Sequence, residues 1–557
     1  MIHTSQGPDV HVTHLLGPHP IIEHFLQRLD LRGIVHSFVG TGRERTIEHG
    51  EALSVLVHNI LDSPEPLYRI AEWAAPIDPG AFAFTPEQKS SLNDDRVARM
   101  LDAIVSERGR GIWFHLALRI IKQFKIAKDR MHHDTTTVTF HGEYKGSVRE
   151  PRITCGKNKD HRPDSKQLVF GLSVSADGAV PINHQVLSGN QSDDTVHRGN
   201  LEELRAILGR SDFVYVADCK LASSANLNEI AEHGGKFVTI LPRTRNEDKR
   251  FRRKLRSTPV RWKKIMEIPN KRTEAGPPNV FYSCRAPEQS AEGFYIVWIR
   301  SSAKMKLDEI AREKRLDQAR AELALLSNRL NRRKLRSAYH IRKAFREIIR
   351  LRNMKPFLHV RLKRQVQQEL KRLKRGRPAK GEPARIVRRN VWSLHVQVDE
   401  EALRAEGRTD GVFPLVTNLE KKNNAKKEIL SIYKYQPYIE KRFSQLKTDL
   451  EVASVYLKKP MRCAGLIHAY YVALAVSGLI ERAVRQAMVR EGVEELPLFP
   501  EGRPTKTPTC SRILEAFKGV CWYEVRRGEE IVCFPLKLTA LQKLLLKLME
   551  VPQELYS

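Results

Sequence analysis

The spacing of apolar positions changes near residue 130, and the change divides the chain. Before it, Leu53, Leu56, Val57, Ile60 and Leu61 recur at the i, i+3, i+4, i+7, i+8 positions of an amphipathic helix. Residues 111–126 repeat that pattern, so 15–127 read as mainly helical, without a decisive recognition-helix signature. Beyond it, residues 131–140 (MHHDTTTVTF) are dense in Thr and Val and predict a strand. Residues 168–174 and 180–186 predict two more, joined by a hairpin turn at Asp177-Gly178. A helix follows at 195–208, then the apolar run FVYVAD ending at Asp218, a helix at 226–233 and a strand at 236–241. Three strands followed by alternating helix and strand predict an α/β fold, a mixed sheet flanked by helices.

From 243 to 422 that order is interrupted. Residues 280–300 and 391–398 carry strand patterns, while 301–375 read as helical and very basic. Leu316, Ala319, Leu323, Leu326 and Leu330 hold a three-four spacing, too briefly to require a coiled coil. A last helical block spans 436–488; a Pro-rich break at 496–508 leads to a small unit that ends in a helix at 537–549. The run 464–480 (AGLIHAYYVALAVSGLI) invites comparison with a membrane span. It is short, holds His468 and Ser477, and meets Glu481 and Arg482, so a buried core helix is expected and no membrane partner. The expected organisation is a helical, DNA-binding candidate domain at 1–127, a first core segment at 128–245, an insertion at 246–424, a second core segment at 425–490 and a small unit at 491–557.

Charge adds a partner. The 557 residues carry 96 Lys plus Arg against 65 Asp plus Glu, a formal net charge of +31. Such an excess repels itself unless a polyanion is near, and the commonest is nucleic acid. Residues 301–380 alone hold 26 Lys or Arg against 7 Asp or Glu, a density suited to tracking a DNA backbone; the other account is a solvated helical arm. Within it, Lys374-Arg375-Gly376-Arg377-Pro378 resembles the core of an AT-hook, whose arginines enter a narrow minor groove. A flexible basic linker is the other reading of those five residues; Arg375 and Arg377 stand as DNA-binding candidates. Seven scattered cysteines without a C-x-x-C pair, and an amino terminus without an apolar run, point to a reducing compartment, the cytoplasm.

The candidate chemistry lies in three acids. Asp134 sits inside its strand, where a charge needs a partner, and Asp218 closes its strand at the carboxyl edge, where open sheets place ligands. The third is Glu440, in YKYQPYIEKRFSQLK. Pro437 suits the first turn of a helix, and Lys447 follows Glu440 by seven residues, two turns along one face. His132 and His133 adjoin Asp134, but no further His or Cys accompanies them to make a zinc site; alternation sends one of them to the far side of the sheet.

These residues resemble the insertion-sequence transposases of the DDE class, which have an RNase H-like catalytic fold. One large branch carries a Tyr-x2-Arg-x3-Glu-x6-Lys signature, matched here by Tyr433, Gln436, Glu440 and Lys447, with Gln in place of Arg. The segments DHRPDSKQ and GNQSDDT, the strand end VAD, the helix after Lys459 and the helical first hundred residues resemble this branch too. The resemblance implies that Asp134 bridges two Mg2+ ions (Mn2+ substituting), with Asp218 and Glu440 each completing one. It also implies that Tyr433, Gln436 and Lys447 contact DNA phosphates, that the stretch between Asp218 and Glu440, 222 positions apart, holds an inserted domain, and that the protein acts as a homodimer on DNA in a bacterial nucleoid. Cleavage at the ends of a mobile DNA element and strand transfer into target DNA are the implied activity. The alternatives are a DNA-binding descendant that no longer cuts and a nuclease of the same fold that does not join strands.

Overall fold

The computed structural model describes residues 10–40, 46–144, 151–159, 164–191, 193–270, 276–286, 289–372, 384–420, 425–452, 457–527 and 530–556. The fold is α/β with mixed sheet, and the chain forms two compact units. One comprises Met1–Thr239, Thr417–Asn423 and Glu428–Ser557; the other comprises Ile240–Val416 with Asn424–Lys427.

In the first unit, β1 (Val10–Leu15) leads into α1 (His19–Arg28), α2 (Leu31–Val39), α3 (His49–Asp62), α4 (Ile70–Ala74), α5 (Pro86–Ser90), α6 (Asp94–Ile104) and α7 (Arg110–Gln123). The sheet then begins with β2 (Arg130–Phe140), the short β3 (Thr154–Cys155), β4 (Lys166–Ser175) and β5 (Pro181–Ser188). Next come α8 (Asp193–Leu208), β6 (Val214–Ala217), α9 (Ser224–Glu232) and β7 (Lys236–Ile240). The strands lie in the order β3-β4-β2-β6-β7, with β5 also on β4. β2 is antiparallel to β4 and parallel to β6. The hairpin between β4 and β5 turns at Gly178, whose φ of +82° suits glycine and strains other residues.

The second unit holds α10 (Asn246–Ser257), β8 (Lys263–Ile268), β9 (Asn279–Ser283), β10 (Tyr295–Ser301), α11 (Ser302–Asn328) and α12 (Ala338–Leu351). They are followed by β11 (Leu358–Arg372), β12 (Ala384–Val398), α13 (Glu400–Gly407) and β13 (Val412–Thr417). Residues 358–372, expected to continue a basic helix, instead form one strand of a two-stranded antiparallel ribbon with β12. Arg, Lys, Gln and Leu favour helices, but Leu358, Val360 and Leu362 alternate at period two. They pack on a core built from Leu323, Leu326, Ile341, Phe345 and Ile349 of α11 and α12. Burial at that period prevails over local propensity. The strand at 263–268 also escaped the pattern, because its face is only partly buried.

The chain then returns to the first unit through α14 (Lys426–Tyr433), α15 (Pro437–Ser444) and α16 (Pro460–Glu491). It ends with α17 (Cys510–Glu515), β14 (Cys521–Arg527), β15 (Glu530–Phe534) and α18 (Ala540–Met549). α16 contains the run weighed as a membrane span; 94% of its most apolar window is buried within the fold, as a core helix. α3, α6, α18 and β5 all pack against it. The helices expected as a separate amino-terminal domain therefore share a core with the α/β segment. The expected small carboxy-terminal unit does not stand apart either: β14 pairs with β1 and with β15 in a three-stranded sheet.

Candidate functional site

Asp134 lies inside β2, and the parallel register of β2 and β6 sets His132 beside Val216. That pairing ends two residues before Asp134 on one strand and two residues before Asp218, which directly follows β6, on the other. Alternate strand residues face the same side, so Asp134 shares the face of His132. The Asp218 carboxylate accepts from the Lys220 backbone N–H (2.9 Å), and its carbonyl accepts from the Thr239 hydroxyl (2.6 Å). Those bonds curl the chain after β6 and fix the aspartate at the sheet edge.

Glu440 arrives from α15, which packs on β2 and β4. Pro437 opens that helix and puts Glu440 in its first turn, where a carboxylate complements the helix dipole; its side chain is exposed. Gln436, expected at a DNA phosphate in place of the family's Arg, is instead turned inward and is 4% exposed. His132 Nδ1 donates to its Oε1 (3.0 Å), and its Nε2 donates to the His133 carbonyl (3.0 Å). Both ends of the amide are thus used in clipping the start of α15 to β2. An arginine could not accept from His132 and would bury a charge here.

We therefore expect Gln436→Arg, which restores the signature residue, to destabilise the protein by about 2 kcal/mol or more, through a buried cation and a lost acceptor. Thermal melting checks this: a Gln436→Arg protein as stable as the parent would return this residue to the phosphate-binding set.

The three acids act electrostatically on Tyr433, the last residue of α14. Burial raises its phenol above the ordinary tyrosine range, and Asp218, Cys219, Glu440 and Asp134 all push it further, so it remains an O–H donor. Burial also raises the Asp134 carboxyl, Glu440 adds to the rise, and Lys159 opposes it. Lys159 was not singled out from the sequence. Its Nζ lies 3.3 Å from Asp134 Oδ1 and 3.0 Å from Thr135 Oγ1, and it also donates to the Thr135 carbonyl. Its backbone N–H donates to Thr137 Oγ1 (3.2 Å), so the loop bearing it runs along β2. The only signal was the basic character of that loop, GKNKDHRPDSKQ, of which residues 160–163 lie outside the described residues.

His133, one position off the face of Asp134, points to the other side of the sheet. It bonds Ser173 (3.0 Å), which bonds Asn200 (3.0 Å), which in turn donates to the Tyr215 hydroxyl (2.9 Å). Burial pushes His132 down to about 4 and His133 well below the ordinary range, so both rings are neutral and serve the scaffold.

Lys447 does not hold the two-turn relation to Glu440 expected of it. Gln445–Asp449 form a π-helical turn directly after α15; its wider turn carries Lys447, half-buried, around the axis from the Glu440 face. Arg375 and Arg377 lie outside the described residues. Among the described residues, no three His, Cys, Asp or Glu side chains are grouped tightly enough to hold a metal ion. Asp134, Asp218 and Glu440 are thus not so grouped, and the Lys159 ammonium supplies positive charge at Asp134.

A family model described as a domain of unknown function (DUF4277) matches residues 11–118, the stretch from β1 into α7. No curated protein matches the chain. Among solved structures, the chain is similar to a piggyBac transposase synaptic complex with hairpin DNA, determined by cryo-EM. The TM-score is 0.29 and the identity 12%, over 51% of this chain and 60% of that chain, a likeness too weak to bear on fold or activity.

Proposed function

We propose that the protein is a transposase of the DDE class, cutting DNA at the ends of a mobile element and joining those ends to target DNA through an RNase H-like core. The observation that supports it most directly is that Asp218, Glu440 and Asp134, from three separate stretches of chain, all act electrostatically on the Tyr433 phenol. The resemblance around those acids and the charge of +31 support it. Asp134, Asp218 and Glu440 would hold Mg2+; carboxylate oxygens are the hard ligands this ion takes, and the exposed Glu440 is free to turn toward the aspartates. A metal pair held there would activate a water or 3′-hydroxyl and stabilise charge on the departing oxygen.

The remaining work belongs to the chain. Tyr433, kept protonated, donates to a phosphate oxygen beside the cut. Lys159 neutralises Asp134 until a stronger cation takes that role, after which its ammonium is free for the phosphate. Lys447 adds a further cation for a phosphate oxygen. The Gln436 clip holds the helix of Glu440 to the strand of Asp134, so the third acid keeps its place. Two ends must be cut together, so the active form is a homodimer on DNA, working in the cytoplasm against the nucleoid. Purified protein, a duplex carrying an element end and Mg2+ test the reading. Nicks at the end followed by joined products support it; binding without nicks defeats it, and nicks without joining reduce it to a nuclease.

A stability prediction accompanies this reading. Because the folded-state pKa of Asp134 is raised, the folded protein keeps that proton to higher pH than the unfolded chain does. The contribution is present below the ordinary carboxyl range and is lost as pH rises from there through the raised value. In metal-free buffer at neutral pH, Asp134→Asn should therefore raise Tm, by about 1–3 °C for a small fraction of total stability. Mg2+ should raise the parent's Tm and leave that of Asp134→Asn unchanged. Equal Mg2+ responses in the two proteins would remove Asp134 from the metal site.

A further inference from the structure

We propose that the β11–β12 ribbon is a DNA-reading element that lies in the major groove with its polar face against the base edges. This rests on the DNA-acting reading of the protein and extends it to a different part of the chain. The two strands pair over fifteen positions, from Leu358 opposite Val398 to Arg372 opposite Ala384. Their side chains alternate between two faces, one of them apolar at its base and interrupted further out by Arg364, Gln368 and Arg388. One face carries Leu358, Val360, Leu362, Val366 and Leu370, opposite Val398, Val396, Leu394, Asn390 and Ile386. At its base that face is covered by the core of α11 and α12.

The other face carries Arg361, Lys363, Gln365, Gln367 and Lys371, opposite His395, Ser393, Val391, Arg389 and Arg385. From Lys363 to Lys371 every residue of β11 is exposed. Arg389 pairs with Glu369 at 3.3 Å; among the described residues, none of Arg361, Lys363, Lys371 and Arg385 has a carboxylate within ion-pair distance. An isolated two-stranded ribbon is marginal in water, so an exposed length of this kind is suited to being held by a partner.

Three features select DNA. Five cations and one acid on a single face complement a polyanion. The face also interleaves Gln365, Gln367 and Ser393 with the cations. A surface that only tracked phosphates would not need amides, whereas Gln pairs with adenine and Arg or Lys with guanine at the major-groove edge. The dimensions fit as well: the major groove admits a two-stranded ribbon about as wide as this one. Alternate residues on a strand are roughly 7 Å apart, close to two base-pair steps, so Arg361, Lys363, Gln365 and Gln367 meet successive pairs of steps.

The test uses the full chain in metal-free buffer, so that no strand is cut. Duplexes selected by the parent from a random 20-base-pair library serve as probe, alongside the same duplexes with 7-deazapurines, which lack the major-groove N7. We expect 7-deaza substitution to weaken parent binding by about tenfold or more. Where only the adenines are substituted, Gln365→Ala with Gln367→Ala should bind both duplexes alike, with the salt slope unchanged. Arg361→Ala, Lys363→Ala and Arg389→Ala together should lower the log–log salt slope by between about two and three. All these side chains are exposed or on the ribbon, so unchanged melting temperatures confirm that each variant is folded.

Parent binding that is insensitive to 7-deaza substitution but lost to distamycin would place the contact in the minor groove and overturn the proposal. So would parent-like DNA binding by all ribbon variants. Sedimentation showing that Val366→Glu with Leu370→Glu dissociates a dimer, while polar-face variants bind as the parent does, would make the ribbon an interface between copies and equally overturn it. These results leave the carboxylate reading untouched, since an Asp134→Asn protein that binds but does not cut speaks to that reading alone.

Discussion

Asp134→Asn, Asp218→Asn and Glu440→Gln should each reduce Mg2+-dependent nicking by about 10³-fold or more while leaving DNA affinity within about twofold of the parent. Removing one hard ligand forfeits several kcal/mol of charge stabilisation in the transition state, and about 4 kcal/mol is a thousandfold in rate. The three acids act as one unit, so a double variant should be little slower than either single one. Each substitution keeps shape and removes charge, which separates chemistry from folding. Thr135 N–H donates to Asp134 Oδ1 at 2.7 Å, and an asparagine oxygen can keep that bond. Nicking assays across the three variants decide the matter: a variant that still cuts at the parent's rate would exclude its residue from the reaction.

Arg442→Ala should cause the largest loss of stability, about 3–5 kcal/mol, seen as a fall in denaturation midpoint. Arg442 stands two residues after Glu440 and is 4% exposed. Its Nη1 pairs with Glu481 of α16 at 2.9 Å, and its guanidinium also donates to the Ala179 carbonyl (2.9 Å), the Gly178 carbonyl (3.2 Å) and Gln445 Oε1 (2.9 Å). It thereby ties α15 to the core helix and to the β4–β5 hairpin. Truncation would leave the Glu481 carboxylate, the two carbonyls and Gln445 short of a donor in a buried setting. The expectation has a control: Arg442→Met with Glu481→Leu should be more stable than Arg442→Met alone, because no buried charge is left over, though Arg485 also reaches Glu481 at 3.2 Å. Additive losses in the two single variants would show that the pair is not coupled.

How far the sequence was legible depends on whether a residue's neighbours are local. The strand of Asp134 and the strand end at Asp218 follow from apolar patterning, and the helix of Glu440 follows from Pro437, all short-range signals. Gln436 was misread because its partners, His132 and His133, lie some three hundred residues away; spacing within YKYQPYIEKRFSQLK cannot tell an outward amide from an inward one. Lys159 was hidden for the same reason, as its contact with Asp134 depends on a loop folding back over β2. The ribbon was hidden by composition. Its alternate Leu and Val residues lie among helix-favouring Arg, Lys and Gln, and only pairing with β12 over the α11–α12 core resolves the conflict. Lys447 shows a further limit: a seven-residue spacing predicts a shared helix face only while the helix stays α, and the π turn at 445–449 breaks that condition.

The most direct measurement is anomalous diffraction from crystals of the full chain soaked in Mn2+. The account predicts scattering peaks bracketed by the carboxylates of residues 134, 218 and 440, with the Lys159 amine withdrawn from Asp134. Ordered Mn2+ held by other side chains, in crystals whose protein still nicks DNA, would contradict it.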